Sequence, residues 1–421
     1  MQTVLKPKVT AAKHLLARGW LEEIVDTRDP ERKILWVRGG NRLTEVSVTR
    51  DLLAKTNATL QSTIEIYGAE AAAPGDTTVA ETIVVRGRAE RLPIDLSHSD
   101  YAATRYRHLH IRTPLLRAAA MFRHYVQKYA REYLDDLGFY FVHTPVLTEA
   151  SCVCSGEVFT FPYYGKTVAN LIQSPWMYCD ALVSGVERVY ALNPSYRRER
   201  EPTETHLVEI WQLQVDLCWA SNDEIMAMEE GLIQYIAGKL HENHTDLYTG
   251  ASLSMAHLEA LLKPYRRITY EESLIKLRSL GHELVYGDDY TKEQSDALSA
   301  SFDRPYFITN YPQEMKNFWF PTIPGDKKLT PSNDLFAHTG HGEIIGGGER
   351  VYDTQELERN LEIFGHDLDE FDWFVETRKY GGVPHAGFSV GFDRLTAMLM
   401  GVDHINKATL FPRLPHGTLR P

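Results

Sequence analysis

The chain has 421 residues, with 45 Lys and Arg against 57 Asp and Glu and a formal net charge of -12. That length can bury a large core and predicts two or three domains in a globular, soluble protein. The acidic balance excludes a global basic surface for nucleic acid while leaving room for a local patch.

No stretch reaches the ~18 consecutive apolar residues of a membrane helix. The first residues, with Lys6, Lys8, Lys13 and His14 interspersed, form no secretory signal, so the expectation is a cytoplasmic enzyme with no membrane partner. Cys152, Cys154, Cys179 and Cys218 are too few for a disulfide framework and read as reduced thiols.

In chain order, short β-rich runs at 34–37, 44–48, 62–67 and 81–85 alternate with turn residues such as Gly39-Gly40-Asn41 and Pro74-Gly75-Asp76. This spacing predicts a small β-barrel of about five strands over residues 1–95, of the oligonucleotide-binding (OB) kind or another all-β module. Residues 96–115 are polar and rich in His and Arg, end at Pro114, and read as a linker. Phe122, Val126, Tyr129, Tyr133 and Leu137 then recur every three or four residues, giving a helix with one apolar stripe that stops at Gly138.

Residues 139–147 read as a buried strand with Pro145 at an edge or end. Further strands are expected at 189–192, 207–219 and 342–345, with helices at 222–240 and 354–363. Residues 116–421 are therefore predicted to be an α+β domain, a largely antiparallel sheet with helices outside. The run Arg378-Lys379-Tyr380-Gly381-Gly382-Val383-Pro384-His385-Ala386-Gly387-Phe388-Ser389-Val390-Gly391-Phe392-Asp393-Arg394-Leu395 reads as a strand, a glycine-spaced turn and the start of a helix. Such a turn brings bare backbone and Arg394 against a nucleotide, or serves only as a turn.

Two more constellations carry chemistry. In Tyr196-Arg197-Arg198-Glu199-Arg200-Glu201-Pro202-Thr203-Glu204-Thr205-His206-Leu207-Val208-Glu209-Ile210, the alternation places Arg197 and Glu199 on one face of a strand. A guanidinium there can clamp a phosphate and a carboxylate can accept from an adenine amino group; a self-paired charged hairpin is the other reading. Asp334 and Glu343, on neighbouring strands, could hold Mg2+ through their oxygens or be separate surface acids.

Taken in order, the helix with its strand and Pro145, the Arg197/Glu199 hairpin, and the Gly391/Arg394 segment resemble the three signature motifs of the class II aminoacyl-tRNA synthetases. Gly342-Glu343-Ile344-Ile345-Gly346-Gly347, Arg378-Lys379-Tyr380-Gly381 with Val383-Pro384-His385, and Leu410-Phe411-Pro412-Arg413 narrow the resemblance to the aspartyl/asparaginyl subgroup, and most of all to the asparaginyl enzymes. The resemblance implies a class II synthetase sheet behind an OB-like barrel, a homodimer through the first motif, and bound ATP and Mg2+. It assigns Arg197 to the α-phosphate, Glu199 to the adenine edge, Arg394 to the γ-phosphate and base, and Asp334 and Glu343 to Mg2+. His206, Glu209, Ile210 and Gly391 complete the nucleotide site. Arg197 and Arg394 are the catalytic pair, because a carboxylate attacking the α-phosphorus needs positioning and charge neutralisation but no general base.

The acid pocket implied by the resemblance comprises Val153, Trp176, Cys179, Gln214, Asp216, Arg350 and Gly387, and here the chain departs from the subgroup. Val153 stands where a carboxylate is expected, Trp176 replaces a glutamine, Cys179 occupies the position of a lysine in aspartyl enzymes, and Gln214 neutralises the first of an acidic pair, whereas Arg350 is kept. Thr205 and Ile210 replace an arginine and a phenylalanine common in the motif-two loop. The barrel region holds 14 Lys and Arg against 13 Asp and Glu, with Ile34 where a base-stacking aromatic is expected and Trp36 two residues on.

The expectation is an asparaginyl-tRNA-synthetase-like paralogue that adenylates a carboxylic or amino acid (asparagine, aspartate or an analogue) and passes the acyl group to a small amine, a carrier protein or tRNA. A divergent asparaginyl-tRNA synthetase and an inactive binding homologue are the alternatives.

Overall fold

A computed structural model describes residues 14–40, 42–69, 78–96, 105–149, 157–165, 167–201, 206–417 and 419. The chain divides into two compact units, Met1–Asp95 and Leu96–Pro421.

In the first unit, β1 (His14–Asp26), β2 (Arg32–Gly39), β3 (Arg42–Thr49), β4 (Thr63–Ala69) and β5 (Val79–Gly87) close into a barrel of order β1-β2-β3-β5-β4. Alternate side chains Leu35, Val37, Val46, Val48, Ile64 and Ile66 point inward and are almost fully buried, as the two-residue period of a strand requires. A short helix, α1 (Arg50–Thr56), leaves β3 directly, capped by the Thr49 hydroxyl. This is the OB-like barrel expected from the spacing; β1 and α1 were not anticipated as separate elements.

The second unit opens with α2 (Arg107–His110) and α3 (Pro114–Asp136). Pro114 begins α3 at its first turn, where a missing N–H costs nothing, and Gly138 ends the run with φ +79°. The second half of the 96–115 stretch, expected as a linker, is anchored within the second unit. Arg107 is buried and donates to the carbonyl oxygens of Leu410 (2.8 Å), Thr409 (2.5 Å) and Asn406.

Residues 139–147 are likewise not one buried strand. They form β6 (Tyr140–Phe141) and the start of β7 (Leu147–Thr148), with Pro145 between them, because a prolyl nitrogen cannot join a ladder. Then follow β8 (Thr160–Tyr163), β9 (Thr167–Leu171), α4 (Trp176–Leu182), β10 (Arg188–Tyr196), β11 (Glu209–Cys218) and α5 (Asn222–Asn243), the last begun by a Ser221/Glu224 capping box. β12 (Arg266–Thr269), β13 (Tyr306–Thr309), β14 (Ser332–Phe336), β15 (Glu343–Arg350) and β16 (His385–Gly391) complete an eight-stranded sheet of order β12-β13-β14-β15-β16-β11-β10-β6.

Only the β12/β13 and β10/β6 pairs in that sheet are parallel; the others are antiparallel. α3, α5 and the helix Phe392–Met400 pack an apolar stripe (Phe122, Val126, Ile233, Ile236, Leu395, Leu399) onto one sheet face. The other face carries the cavity described next.

Candidate active site

Four strands place a row of residues in register: Gln214 on β11 opposes Ser389 on β16, which opposes Gly346 on β15, which opposes Asp334 on β14. Three interstrand spacings of about 4.8 Å make this row roughly 14 Å long. It forms part of the wall of a cavity of about 650 Å³, lined also by Arg197, Glu199, His206, Ile210, Glu343, Gly391, Arg394, Trp176 and Arg350.

The 378–395 run is built differently from the expected turn. Arg378 closes the helix Asp372–Lys379, the glycines Gly387 and Gly391 lie within β16, and Gly391 passes straight into the helix Phe392–Met400. Arg394 therefore sits on the first turn of that helix. It donates through Nη1 to the Glu343 carbonyl (2.7 Å) and through Nη2 to His206 Nε2 (3.1 Å). Burial, then the charges of Arg394 and Arg197, push the His206 imidazole down to about 4, so it is neutral at pH 7 and free to accept from Arg394.

Arg197 and Glu199 do not lie on a strand face, since β10 ends at Tyr196. They follow it in a tight turn closed by Glu199 N–H donating to the Arg197 carbonyl (2.8 Å), and both still face the cavity. Arg197 Nε is buried with no hydrogen-bond partner, an orphan donor of the kind a ligand oxygen satisfies. Neighbouring Arg198 and Arg200 pair instead with Glu157, at 3.2 and 2.6 Å.

At the other end of the cavity, Arg350 is 4% exposed and donates from Nη2 to the Gly387 carbonyl (3.0 Å), leaving Nε and Nη1 without hydrogen bonds. Its nearest carboxylate oxygen is Asp216 Oδ1 at 3.9 Å. Asp216 is fully buried behind Gln214, whose amide donates to it at 2.6 Å, and burial holds its carboxyl well above the usual range despite Arg350. Trp176 lies beside this end, its ring centroid 4.3 Å from that of Trp319 and 5.5 Å from that of Phe374.

Four expected site residues stand back from the cavity. Cys179 is fully buried against Val183, Val189 and Ala191, and burial raises its thiol well above the normal value. Glu209 opens β11 opposite Tyr196, outside the lining. Asp216 is screened by Gln214, and Gly387 serves Asp216: a Cβ there would fall 2.0 Å from Asp216 Oδ1. Val153 lies outside the described residues, as do Cys152, Cys154 and Thr205.

Two features were missed. Lys316 pairs with Asp334 inside the cavity wall, 2.7 Å away. Away from the cavity lining, Asp180 on α4 is fully buried and receives Arg378 through both Nη1 and Nη2 and His385 Nε2 at 2.9 Å. These partners come from four separated stretches, and only the recurrence of charged residues within otherwise apolar segments hinted at them.

The family model described as "tRNA synthetases class II (D, K and N)" matches residues 99–415. The chain belongs to this family. Curated relatives of this synthetase include the asparagine–tRNA ligases of Pyrococcus abyssi, 32% identical with 98% of this chain and 97% of that one covered, and of Thermococcus kodakarensis, 31% identical with 97% and 96% covered. The asparaginyl-tRNA synthetase from Pyrococcus horikoshii complexed with asparaginyl-adenylate superposes with a TM-score of 0.88 at 30% identity, covering 94% of each chain. The asparaginyl-tRNA synthetase of Entamoeba histolytica gives 0.83 at 25%, covering 95% of each. This class II synthetase is thus an ATP-dependent ligase of the asparagine/aspartate type.

Class II synthetases use ATP with Mg2+, and the carboxylates of this one fit a divalent cation. A Cβ on Gly346 would lie 2.8 Å from Glu343 Oε1 and 3.3 Å from Asp334 Oδ1, so the missing side chain leaves both oxygens facing one space. Glu343 keeps access to solvent through the open cavity, yet desolvation by the protein around it and then the Asp334 charge raise its carboxyl, the mark of two acids sharing a site that a cation would relieve. Among the described residues no cluster of three or more His, Cys, Asp or Glu forms a metal cage. Two carboxylates with further oxygens from phosphate and water is the pattern Mg2+ favours.

Proposed function

We propose that the chain activates a carboxylic acid of the asparagine/aspartate type with ATP, forming an acyl-adenylate and pyrophosphate, and then transfers the acyl group to an acceptor. The observation that carries this reading is that Arg197, Glu199, His206, Asp334, Glu343 and Arg394 line one cavity whose far end holds Arg350 with two unbonded donors. Arg197 holds the α-phosphate with its orphan Nε, Glu199 accepts from the adenine amino group, and Arg394, aimed by neutral His206, takes the γ-phosphate and one face of the base. Ile210 and Gly391 complete the walls around the base. Bound at Asp334 and Glu343, Mg2+ supplies charge neutralisation on the phosphate oxygens.

The acid's carboxylate is already a nucleophile and attacks the α-phosphorus in line. The α-phosphorus–oxygen bond to pyrophosphate breaks as the acyl–oxygen–phosphorus link forms, with no proton to move. Catalysis is positioning together with charge complementarity.

The acid pocket supports a rebuilt specificity, hence a paralogue that takes an analogue of asparagine or aspartate. Trp176 fills part of the cavity wall with an indole tilted against Trp319, and the first of the subgroup's acidic pair on β11 is the neutral Gln214. A buried ammonium without counter-charge costs several kcal/mol. The acceptor is a small amine, a carrier protein or tRNA, and the family resemblance adds a homodimer. ATP–pyrophosphate exchange across asparagine, aspartate and their analogues tests the acid; exchange fastest with asparagine, with charging of tRNA, defeats the rebuilt pocket.

A second reading, an asparaginyl-tRNA synthetase acting on asparagine and tRNA, is favoured by the full-length similarity to asparagine–tRNA ligases, barrel included. It predicts tRNA binding that weakens steeply with salt.

A further inference from the structure

Lys316 extends its ammonium onto Asp334, 2.7 Å from Oδ2 and 2.9 Å from Oδ1, with Nζ 3.8 Å from the centroid of the Tyr311 ring. The two charged side chains are 14% and 11% exposed. Pairs between long exposed side chains carry little energy and wander. This one is largely out of water, grips both carboxylate oxygens and rests on an aromatic face, so the ammonium has a fixed seat.

That seat lies inside the carboxylate pair. Asp334 Oδ1, which accepts from Lys316, is also the oxygen that faces Glu343 Oε1 across the bare Gly346. Lys316, Tyr311, Asp334, Glu343 and Gly346 all line the same cavity.

We propose that Lys316 is a resident counter-ion that competes with the divalent cation for Asp334. The inference rests on the reading of Asp334 and Glu343 as the metal-holding carboxylates. With the ammonium on both Asp334 oxygens, a divalent ion can reach Oδ1 beside Glu343 only by drawing Lys316 off that oxygen, and the two positive charges repel across the shared carboxylate, so metal binding displaces Lys316 from its seat. In the nucleotide-free enzyme that exchange strands a mostly buried ammonium and is unfavourable. Nucleotide changes the balance, because its phosphate oxygens give the released ammonium a new partner and give the ion further ligands. The enzyme alone therefore holds metal weakly and takes it up together with the nucleotide, while the carboxylate pair stays organised in the meantime.

The test is Mn2+ binding to the full chain, followed by electron paramagnetic resonance of the free ion, without nucleotide and with ATP. Lys316→Gln is expected to tighten Mn2+ binding to the nucleotide-free enzyme by about tenfold or more, the scale of removing one adjacent charge, and to shrink the gain produced by ATP. Lys316→Arg keeps the wild-type pattern. Should Lys316→Gln fail to fold, Lys316→Met, which keeps the stem over Tyr311, gives the same readout. Unchanged or weaker nucleotide-free affinity in these neutral variants, with Asp334→Asn abolishing Mn2+ uptake in the presence of ATP, overturns the inference and leaves the metal reading standing. Wild-type Mn2+ uptake by Asp334→Asn with ATP overturns the metal reading, and this inference with it.

Discussion

Trp176 packs tilted against Trp319 in the wall of the cavity, ring centroids 4.3 Å apart and planes 36° from parallel. The indole is part of the cavity wall, joined through Trp319 and Phe320 to the ring over which Arg350 lies, 5.1 Å from its centroid. Trp176→Gln is expected to move the ratio of kcat/KM toward asparagine, relative to the acid the wild type prefers, by about tenfold, the discrimination a single pocket contact supplies. Pyrophosphate exchange with both acids measures it. The same substitution costs about 3 kcal/mol or more of stability, since the ring is almost wholly buried among Phe318, Trp319 and Phe374.

Asp180 is the buried anchor behind that pocket. It lies on α4 with Trp176 and takes Arg378 and His385 from the far side, which pins the helix to β16. Asp180→Asn leaves a buried guanidinium short of its counter-charge and should lower unfolding free energy by about 3–5 kcal/mol, read by denaturant titration. Burial raises the Asp180 carboxyl, but Arg378 and His385 outweigh it and hold the group far below its ordinary value. Its stabilisation is therefore present above the unfolded carboxylate range and is lost as pH falls through that range and below.

His206 gives a pH dependence of the same sign from a base kept neutral rather than an acid kept charged. Its native value of about 4 lies below the ordinary imidazole value of about 6.5, so between those values the unfolded chain binds a proton that the native state refuses. Stability should fall as pH drops through this window. His206→Gln, which can still accept from Arg394, should flatten that part of the slope, and comparison of unfolding free energies at pH 7 and pH 4.5 checks it. Pyrophosphate exchange by the wild type should hold through most of that window and decline only as pH approaches about 4, where native His206 takes up its proton and turns from acceptor to repulsive neighbour of Arg394.

Gly346 is the position where a methyl group is felt by chemistry more than by folding. Its backbone is not in the left-handed region, and the obstruction is the pair of carboxylate oxygens. Gly346→Ala should raise the Mg2+ concentration required for half-maximal exchange by about tenfold, on the scale of one displaced ligand group, with a much smaller change in melting temperature. Gly387→Ala is the contrast: its Cβ would collide with buried Asp216 and the Val215 carbonyl, so it should destabilise by roughly 1–3 kcal/mol or more.

Local pattern carried much of the fold. The stripe from Phe122 to Tyr129 marks α3 because a helix repeats its buried face every 3.6 residues, and the barrel strands show because Leu35, Val37, Val46 and Val48 alternate. Four of the cavity residues were legible for a similar reason: Arg197, Glu199, Gly391 and Arg394 sit in short charged or glycine-bearing segments.

What depends on register between distant strands was not legible. Lys316 meets Asp334 only because the segment after β13 folds back over β14, and Asp180, Arg378 and His385 meet from positions some 200 residues apart along the chain. Cys179 was expected in the pocket because it stands where aspartyl enzymes carry a lysine, but a matching position does not fix what a shorter apolar side chain touches, and it packs with Val183, Val189 and Ala191.

The strand β16 is inserted between β11 and β15, with residues 385–391 forming ladders on both sides. During synthesis, β11 must therefore wait for more than 160 residues before its central neighbour emerges. Until then it presents an unpaired hydrophobic edge to the cell, the situation in which nascent chains mispair or recruit chaperones. A chain interrupted before residue 385 lacks the middle of its sheet rather than its margin, so truncations there should yield aggregates instead of a smaller working enzyme.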